Sequence, residues 1–374
     1  MSFLKSVNGY LIYKKLNKDF NQNNTVYIYS EGLNYRNYFL SIINKLKKNN
    51  IKVLYFTSDE SDLQPIGKDI NPIFIGNGLI RVLFFATLKC KFLLMTLTDL
   101  NNYELKKSKN CKNYAYVFHS LVSTHKNYNK KSFDNYDIIF VNGLYQKREL
   151  EKLEIINQLN KKKIYVTGYP YAEFLKENTK IKTEHQSNVL FAPTWSKQKD
   201  DLLTIHARNI INTIVKEKKI IFRPHPQSYI QSKKLLNSIE REFRNNQNFI
   251  MNKKISDINP YFSSSILITD NGGIALEYVL LFKKPVIFIN YKDKIHNSEY
   301  KNVSSNTIED EFKTEFGYII DYTEIENLNH IINKKLNNHL ELEKKIEKFI
   351  KKYQIDFNEP SNKIVDVIKR NLTI

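Results

Sequence analysis

Short apolar runs, rich in β-branched and aromatic residues and bounded by polar turns, recur at residues 25–29, 52–57, 92–98, 113–118, 138–141 and 163–167. Runs of that length and composition read as buried strands. Between several of them the apolar residues fall at helical spacing, as at 35–48 and 78–89. Strands alternating with helices predict βαβ units around a parallel sheet. A second series runs through 188–191, 219–223, 266–269, 285–290 and 317–321, so the pattern predicts two α/β domains in tandem. Gly168-Tyr169-Pro170 and the polar residues up to Ser187 separate the two series and read as the hinge. Residues 325–374 are highly charged, with apolar positions near i, i+3, i+4 and i+7, and predict amphipathic helices. The expected boundaries are 1–172 for a first, acceptor-side domain and 185–335 for a second, donor-binding domain. C-terminal helices over 336–374 are expected to pack back on the first.

The chain has 374 residues, and at about 150 residues per domain that length predicts two to three, of which two agrees with the pattern. A content of 41% hydrophobic and 13% aromatic residues excludes global disorder. Lys and Arg number 58 against 39 Asp and Glu, a formal charge of +19. That charge points to an anionic partner: nucleic acid, an anionic membrane face, or a phosphorylated substrate or polymer. Runs such as Lys161-Lys162-Lys163 are short and flank apolar segments, as solvated loops do, and heavy use of Lys and Asn is what an AT-rich genome puts on a surface. With no nucleic-acid-binding motif in the sequence, no nucleic-acid partner is expected.

Cys90 and Cys111 stand 21 residues apart with no partner His/Cys pattern, so neither a disulfide framework nor a zinc site is expected. The most hydrophobic stretch, 78–100, carries Arg81, Lys89 and Lys91, too many charges for a membrane span. The first residues lack a small-residue cleavage site and read as no signal peptide. A cytoplasmic protein, peripheral at the inner face of the cell membrane, is the expectation. The first helix sets Phe3, Leu4, Val7, Leu11 and Ile12 beside Lys5, Lys14 and Lys15, a pattern that suits an anionic membrane surface or simple packing on the first domain.

Four segments carry candidate chemistry. In IIFRPHPQS an apolar strand leads to Arg223 and His225, with Pro224 and Pro226 stiffening the backbone around the histidine. An Arg and a His at a strand's C-terminal end suit a diphosphate; a structural turn with a surface His is the alternative. In ILITDNGGIALEYVLLFKKPVIFIN a strand enters Asp270-Asn271-Gly272-Gly273 and then a helix, whose start favours an anion. Glu277, about one turn in, suits ribose hydroxyls, while a plain tight turn remains the other reading of the glycine pair. In YAYVFHSLVSTHKNY, His119 ends a strand and is the candidate general base, and His125 is a weaker one. In NVLFAPTWSKQ a Pro193-stiffened loop presents Thr194, the single Trp195 and Ser196, where the hydroxyls are candidate phosphate or acceptor contacts and the Trp otherwise reads as core. His185, His206, His296, His330 and His339 have no such context.

With these segments in order, the chain resembles the CDP-glycerol glycerophosphotransferases that build teichoic acids and capsule polymers. The resembling stretches are YSEGLNYRNYF, His119, FAPTWS, RPHP around His225, and TDNGGIALEYVLLFKKPVIFIN, which together extend over residues 29–290. The family's usual serine pair after the Asp-aromatic is Gly272-Gly273 here, and its usual His-Gly is His119-Ser120. The resemblance implies a GT-B-like architecture, two Rossmann-like domains facing a cleft, with a CDP-linked donor held mainly by the second. His119 would deprotonate an acceptor hydroxyl, and His225 would contact the donor phosphates and assist loss of CMP. Arg223 would offset their charge, the Gly272-Gly273 helix start would hold the diphosphate, and Glu277 would bind ribose, with Asp270 capping the loop. The acceptor implied is a lipid-linked or polymeric glycan. No resident cofactor or protein-bound metal is expected, with Mg2+ left open. A GT-B glycosyltransferase using a nucleotide sugar in capsule or lipopolysaccharide synthesis is the alternative.

Overall fold

The computed structural model describes residues 2–19, 24–178, 187–196, 200–254, 256–291, 295–336 and 340–373. The chain separates into two compact units, 1–119 with 124–177 and 354–374, and 178–353 with 120–123.

In chain order the first unit contains α1 (Ser2–Asp19), β1 (Thr25–Ser30), α2 (Leu33–Lys48), β2 (Lys52–Thr57), β3 (Ile73–Phe74), α3 (Leu79–Thr87), β4 (Cys90–Met95), β5 (Cys111–Val117), β6 (Ile138–Val141), α4 (Leu144–Ile156), β7 (Lys163–Val166) and α5 (Pro170–Glu177). Among the described residues its strands form a seven-stranded sheet of order β3-β2-β1-β4-β5-β6-β7, and every pairing in it is parallel. Alternate residues enter two different cores, because successive side chains leave a strand on opposite faces. Tyr27, Tyr29, Leu93, Met95, Tyr114 and Tyr116 join Tyr13 of α1 and Phe84 and Phe85 of α3. Val26, Ile28, Phe92, Leu94, Ala115 and Val117 join Phe39, Ile42, Ile43 and Leu46 of α2. Helices on both faces explain why these strands read as continuous apolar runs.

The second unit contains β8 (Asn188–Phe191), α6 (Leu202–Ile214), β9 (Ile220–Phe222), α7 (Ser228–Gln231), α8 (Lys233–Phe243), β10 (Phe249–Met251), α9 (Asn259–Ser263), β11 (Ser264–Thr269), α10 (Ile274–Phe282), β12 (Val286–Asn290), α11 (Ile308–Phe316), β13 (Gly317–Asp321), α12 (Leu328–Leu336) and α13 (Leu340–Tyr353). Its sheet, also parallel throughout, has the order β10-β9-β8-β11-β12-β13 among the described residues. Ile210, Ile211 and Ile214 of α6, Leu236 and Ile239 of α8 and Ile331 and Ile332 of α12 share a core with Val189, Phe191, Ile266 and Ile268.

The final helix, α14 (Pro360–Thr373), belongs to the first unit, whereas α13 belongs to the second. Ile364, Val365, Val367, Ile368 and Leu372 are buried against α2 and the first sheet. Each fully buried aliphatic side chain contributes about 1.5–3 kcal/mol of burial free energy, which ties α14 to the first unit. The segment expected as one group of helices over 336–374 is therefore divided between the units.

Residues 170–177, expected within a hinge, are helix α5, which opens on Pro170 at the position where a missing N–H costs nothing and packs on α2. Gly168 before it takes φ +94, and a side chain there would meet the Asp356 carbonyl. Residues 179–186, including His185, and also His339 lie outside the described residues. The two short strands β3 and β10 have no counterpart in the sequence reading, since runs of two and three residues give no period to detect. Cys90 and Cys111 face one another across β4 and β5 as free, buried thiols with Sγ atoms 3.2 Å apart.

Helix α1 docks through Ser6, Gly9 and Tyr13, which are buried; a Cβ on Gly9 would overlap the Phe74 carbonyl of β3. Its apolar residues Phe3, Leu4 and Leu11 face outward, 63%, 72% and 60% exposed. Leu79 and Leu83 of α3, which packs on α1, are exposed as well. Among the described residues no helix is long and apolar enough to cross a membrane.

Candidate functional site

Each sheet reverses its strand order once, at β1/β4 in the first unit and at β8/β11 in the second. In open α/β sheets ligands bind beyond the C-terminal ends of the strands at such a reversal. The loops singled out from the sequence emerge at those ends.

In the first unit His119 stands two residues past β5. Its ring is packed edge-on against Tyr35 (5.3 Å between centroids), Tyr38 (6.0 Å) and Tyr128 (6.2 Å). The Tyr116 hydroxyl lies 3.3 Å from Nδ1, and Tyr169 donates to the His119 carbonyl at 3.3 Å. Burial among these rings holds the imidazole down to a pKa of about 4, so at neutral pH it carries no charge and can accept a proton. His125 is fully buried with Nδ1 3.4 Å from Glu149, whose carboxylate also takes the Thr124 N–H and hydroxyl; this is packing inside the unit. In the YSEGLNYRNYF stretch, Arg36 is structural: its Nε reaches Asp62 at 2.5 Å, and Tyr55 donates to the same carboxylate.

In the second unit the loops after β8 and β11 are tied together. Asp270 accepts the Thr194 N–H at 2.8 Å and the Thr194 hydroxyl at 2.5 Å, the loop-capping role expected of it. Thr194, expected to touch substrate, thus directs its donors to Asp270. Thr194 also crowds the glycine pair: a Cβ on Gly272 would come within 2.7 Å of Thr194 Cγ2. Asn271, Gly272 and Gly273 lead into α10, whose first turn leaves N–H groups without intrahelical acceptors. Ser196 donates its N–H to Asp201 at 3.4 Å, at the border of an undescribed segment.

His225 follows β9, the neighbour of β8. Its Nδ1 accepts the Gln227 N–H at 3.2 Å, which leaves Nε2 as the protonated nitrogen of the neutral ring and hence a donor. The Trp195 ring lies nearly parallel to the rings of His225 (6.4 Å between centroids, 21° between planes) and His296 (6.3 Å, 28°). Trp195 therefore belongs to the loop cluster, and His296, passed over in the sequence, belongs to it too.

Arg223 and Glu277 lie deeper. The Arg223 guanidinium donates through Nη1 to Asn252 at 2.9 Å and to the Asp257 carbonyl at 2.6 Å, and it lies over the Tyr261 ring at 5.2 Å. The Tyr261 hydroxyl donates to Glu277 at 3.4 Å, and both residues are buried. Arg223 thus braces β9 against α9. A cation the sequence reading missed is Lys313 of α11, whose Nζ donates to the Asn271 side chain at 3.1 Å. Its position beside the loop depends on helix packing, for which no local signal exists. In the KKP turn, Lys284 donates to the carbonyls of Tyr261, Phe262 and Ser264, and burial lowers its pKa to about 8.

Among the described residues no group of three His, Cys, Asp or Glu is placed to hold a metal ion. A cavity of about 510 Å³ beside α1, lined by Gly9, Ile12, Leu54, Asp69 and Phe74, contains none of the groups above.

Comparison with known proteins bears on both units. No curated protein sequence matches the chain. The fold is similar to that of the wall teichoic acid polymerase TagF soaked with CDPG, at 15% identity and a TM-score of 0.64, covering 99% of this chain and 98% of that one. It is also similar to Staphylococcus aureus MnaA with UDP (13%, 94% and 98% covered, TM-score 0.60). UDP-GlcNAc 2-epimerase of Methanocaldococcus jannaschii has a similar fold (13%, 92% and 99% covered, TM-score 0.57). These likenesses give a GT-B-like pair of α/β units. The model of the CDP-glycerol:poly(glycerophosphate) glycerophosphotransferase family matches residues 10–370, nearly the whole chain. The chain belongs to that family and is a glycerophosphotransferase-like transferase.

Proposed function

We propose that the protein transfers glycerol phosphate, or another polyol phosphate, from a CDP-activated donor to a hydroxyl of a membrane-associated glycan, teichoic-like or capsule polymer, releasing CMP. Family membership supports the donor class. The observation that carries the reading is the loop cluster at the second sheet's reversal, where His225, Trp195, the α10 start and Lys313 collect around one set of strand ends.

In this reading the acceptor oxygen attacks the phosphorus that bears the glycerol. The new P–O bond forms as the bond to the CMP phosphate breaks. His119, neutral at pH 7, takes the acceptor's proton. Negative charge gathers on the departing CMP phosphate, where the His225 Nε2–H, the first-turn N–H groups of α10 and Lys313 meet it. Glu277 would receive ribose hydroxyls once a nucleotide displaces its contact with Tyr261.

A peripheral place at the inner face of an anionic membrane is supported by the outward Phe3, Leu4 and Leu11 with Leu79 and Leu83 beside them, and by Lys14, Lys15 and Lys18 on the same helix.

Purified protein incubated with CDP-glycerol or CDP-ribitol and a lipid-linked acceptor is expected to release CMP. Full turnover of a nucleotide sugar with no CMP from any CDP-polyol would instead make it a GT-B glycosyltransferase.

A further inference from the structure

One carboxylate at the first sheet's reversal has no structural task. Glu31 directly follows β1, and the register that pairs Tyr29 with Met95 sets it beside the chain leaving β4. A polar side chain at a helix entry often caps it. Here Asp59 does so, accepting the Leu33 N–H at 3.2 Å, while the Ser30 hydroxyl donates to the Gly32 carbonyl. Among the described residues no hydrogen bond engages the Glu31 carboxylate.

Two neighbouring groups keep unpaired polar atoms. Arg81 of α3 is the cation whose charge acts on Glu31 and on Tyr29, and it also makes a side-chain hydrogen bond with Tyr29. Its Nη1 donates to Asn77 at 3.1 Å, and Asn77 is itself anchored on the Ser58 carbonyl, so the guanidinium is held in place. Its Nε is buried and has no hydrogen-bond partner. Thr96, the residue after β4, is fully buried with a hydroxyl that also lacks one. Buried donors without acceptors are costly, and they persist where a ligand completes them. Asp99, the other charge nearby, is by contrast occupied by Ser132, Thr98 and Asn129.

Glu31 lies on the side of the sheet's edge where His119 stands: its charge acts on Tyr35 and Tyr116, and both touch the His119 ring. Burial, with the Asp99 charge adding to it against the pull of Arg81, raises the Glu31 pKa to about 7.

We infer that Glu31 and Arg81 form the acceptor subsite for a glycerol-phosphate chain end, Glu31 accepting hydrogen bonds from the terminal hydroxyls and Arg81 donating through Nε to the adjacent phosphodiester. This rests on the transferase reading above and specifies its acceptor. A guanidinium and a carboxylate close enough for the charge of one to act on the other, yet not joined in an ion pair, match a chain end that presents an anion and hydroxyls a few bonds apart.

The test uses a synthetic glycerol-phosphate oligomer and a neutral acceptor capped with glycerol, with CDP-glycerol as donor. R81Q is expected to raise the acceptor KM at least tenfold more for the oligomer than for the neutral acceptor. E31Q is expected to lower kcat/KM for both by tenfold or more. Each variant should keep the wild-type thermal shift on adding CDP-glycerol, which reports an intact fold and donor site. R81K and E31D give the same comparison should a first variant not fold. Wild-type kcat/KM in both the Arg81 and Glu31 variants, or an equal loss on the two acceptors in R81Q, overturns the inference while leaving the transferase reading standing. A wild-type protein that releases no CMP from any CDP-polyol overturns that reading, and the subsite with it.

Discussion

Thr194 gives both its backbone N–H and its hydroxyl to one carboxylate, Asp270, at 2.8 and 2.5 Å, and so joins the two loops that border the second sheet's reversal. Both residues are buried, so removing the carboxylate strands two donors away from water. D270A is expected to cost about 1–3 kcal/mol of stability for the donors left unpaired. It should also weaken CDP binding, because the loop that carries Trp195 and the loop that begins α10 lose their common anchor. Denaturant melts and calorimetric titration with CDP check both; CDP affinity unchanged in a folded D270A would show that the anchor is not needed.

For His119 two measurements are linked by one cause. Burial keeps the folded-state pKa at about 4, below the ordinary value of 6.5, so between those values the unfolded chain binds more protons. Stability contributed by the neutral ring is therefore full above pH 6.5, falls as pH drops through that window, and is gone below about 4. The expected loss at pH 4.5 is about 2–3 kcal/mol relative to pH 7. H119Q should flatten that part of the stability profile and reduce CMP release by a factor of about 10²–10⁴. A variant with near wild-type turnover removes His119 from the chemistry.

At His225 the tautomer predicts an order among substitutions. The Gln227 N–H occupies Nδ1 and leaves the donor at Nε2, a position that a glutamine amide reaches and an asparagine amide does not. H225Q is expected to retain more activity than H225N, with H225A lowest. The reverse order between Gln and Asn would mean that Nδ1, and not Nε2, serves the substrate.

The outer face of α1 predicts binding to anionic vesicles. Phe3, Leu4 and Leu11 are mostly exposed, so F3S/L4S/L11S should lower the melting temperature by only a few degrees, at about 0.5 kcal/mol or less per exposed position. Pelleting with phosphatidylglycerol vesicles should fall severalfold. K14E/K15E should reduce it further and lower its sensitivity to salt. Undiminished pelleting of the triple variant would place membrane contact elsewhere or nowhere.

Much of the fold was legible locally because it is built of short-range patterns. Continuous apolar strands announce a sheet covered on both faces, and helical periods between them announce the crossovers that keep it parallel. The sequence also placed His119, His225 and the Gly272-Gly273 turn just past strand ends, the last two because a strand running into Pro or Gly marks its own C-terminal end. Tertiary structure decided what those ends do. Strand order puts β8 beside β11 and β1 beside β4, and the sequence says nothing of it because the pairing partners lie 77 residues apart in contacts such as Thr269 with Ala192. Packing turned Arg223 inward toward Tyr261, drew Lys313 to Asn271, and assigned α13 and α14 to different units. Glu31 shows the limit most plainly. A glutamate before a glycine is an ordinary helix entry in one dimension, and only the fold, by giving the cap to Asp59 and leaving Arg81 Nε buried without an acceptor, makes it a candidate for binding substrate.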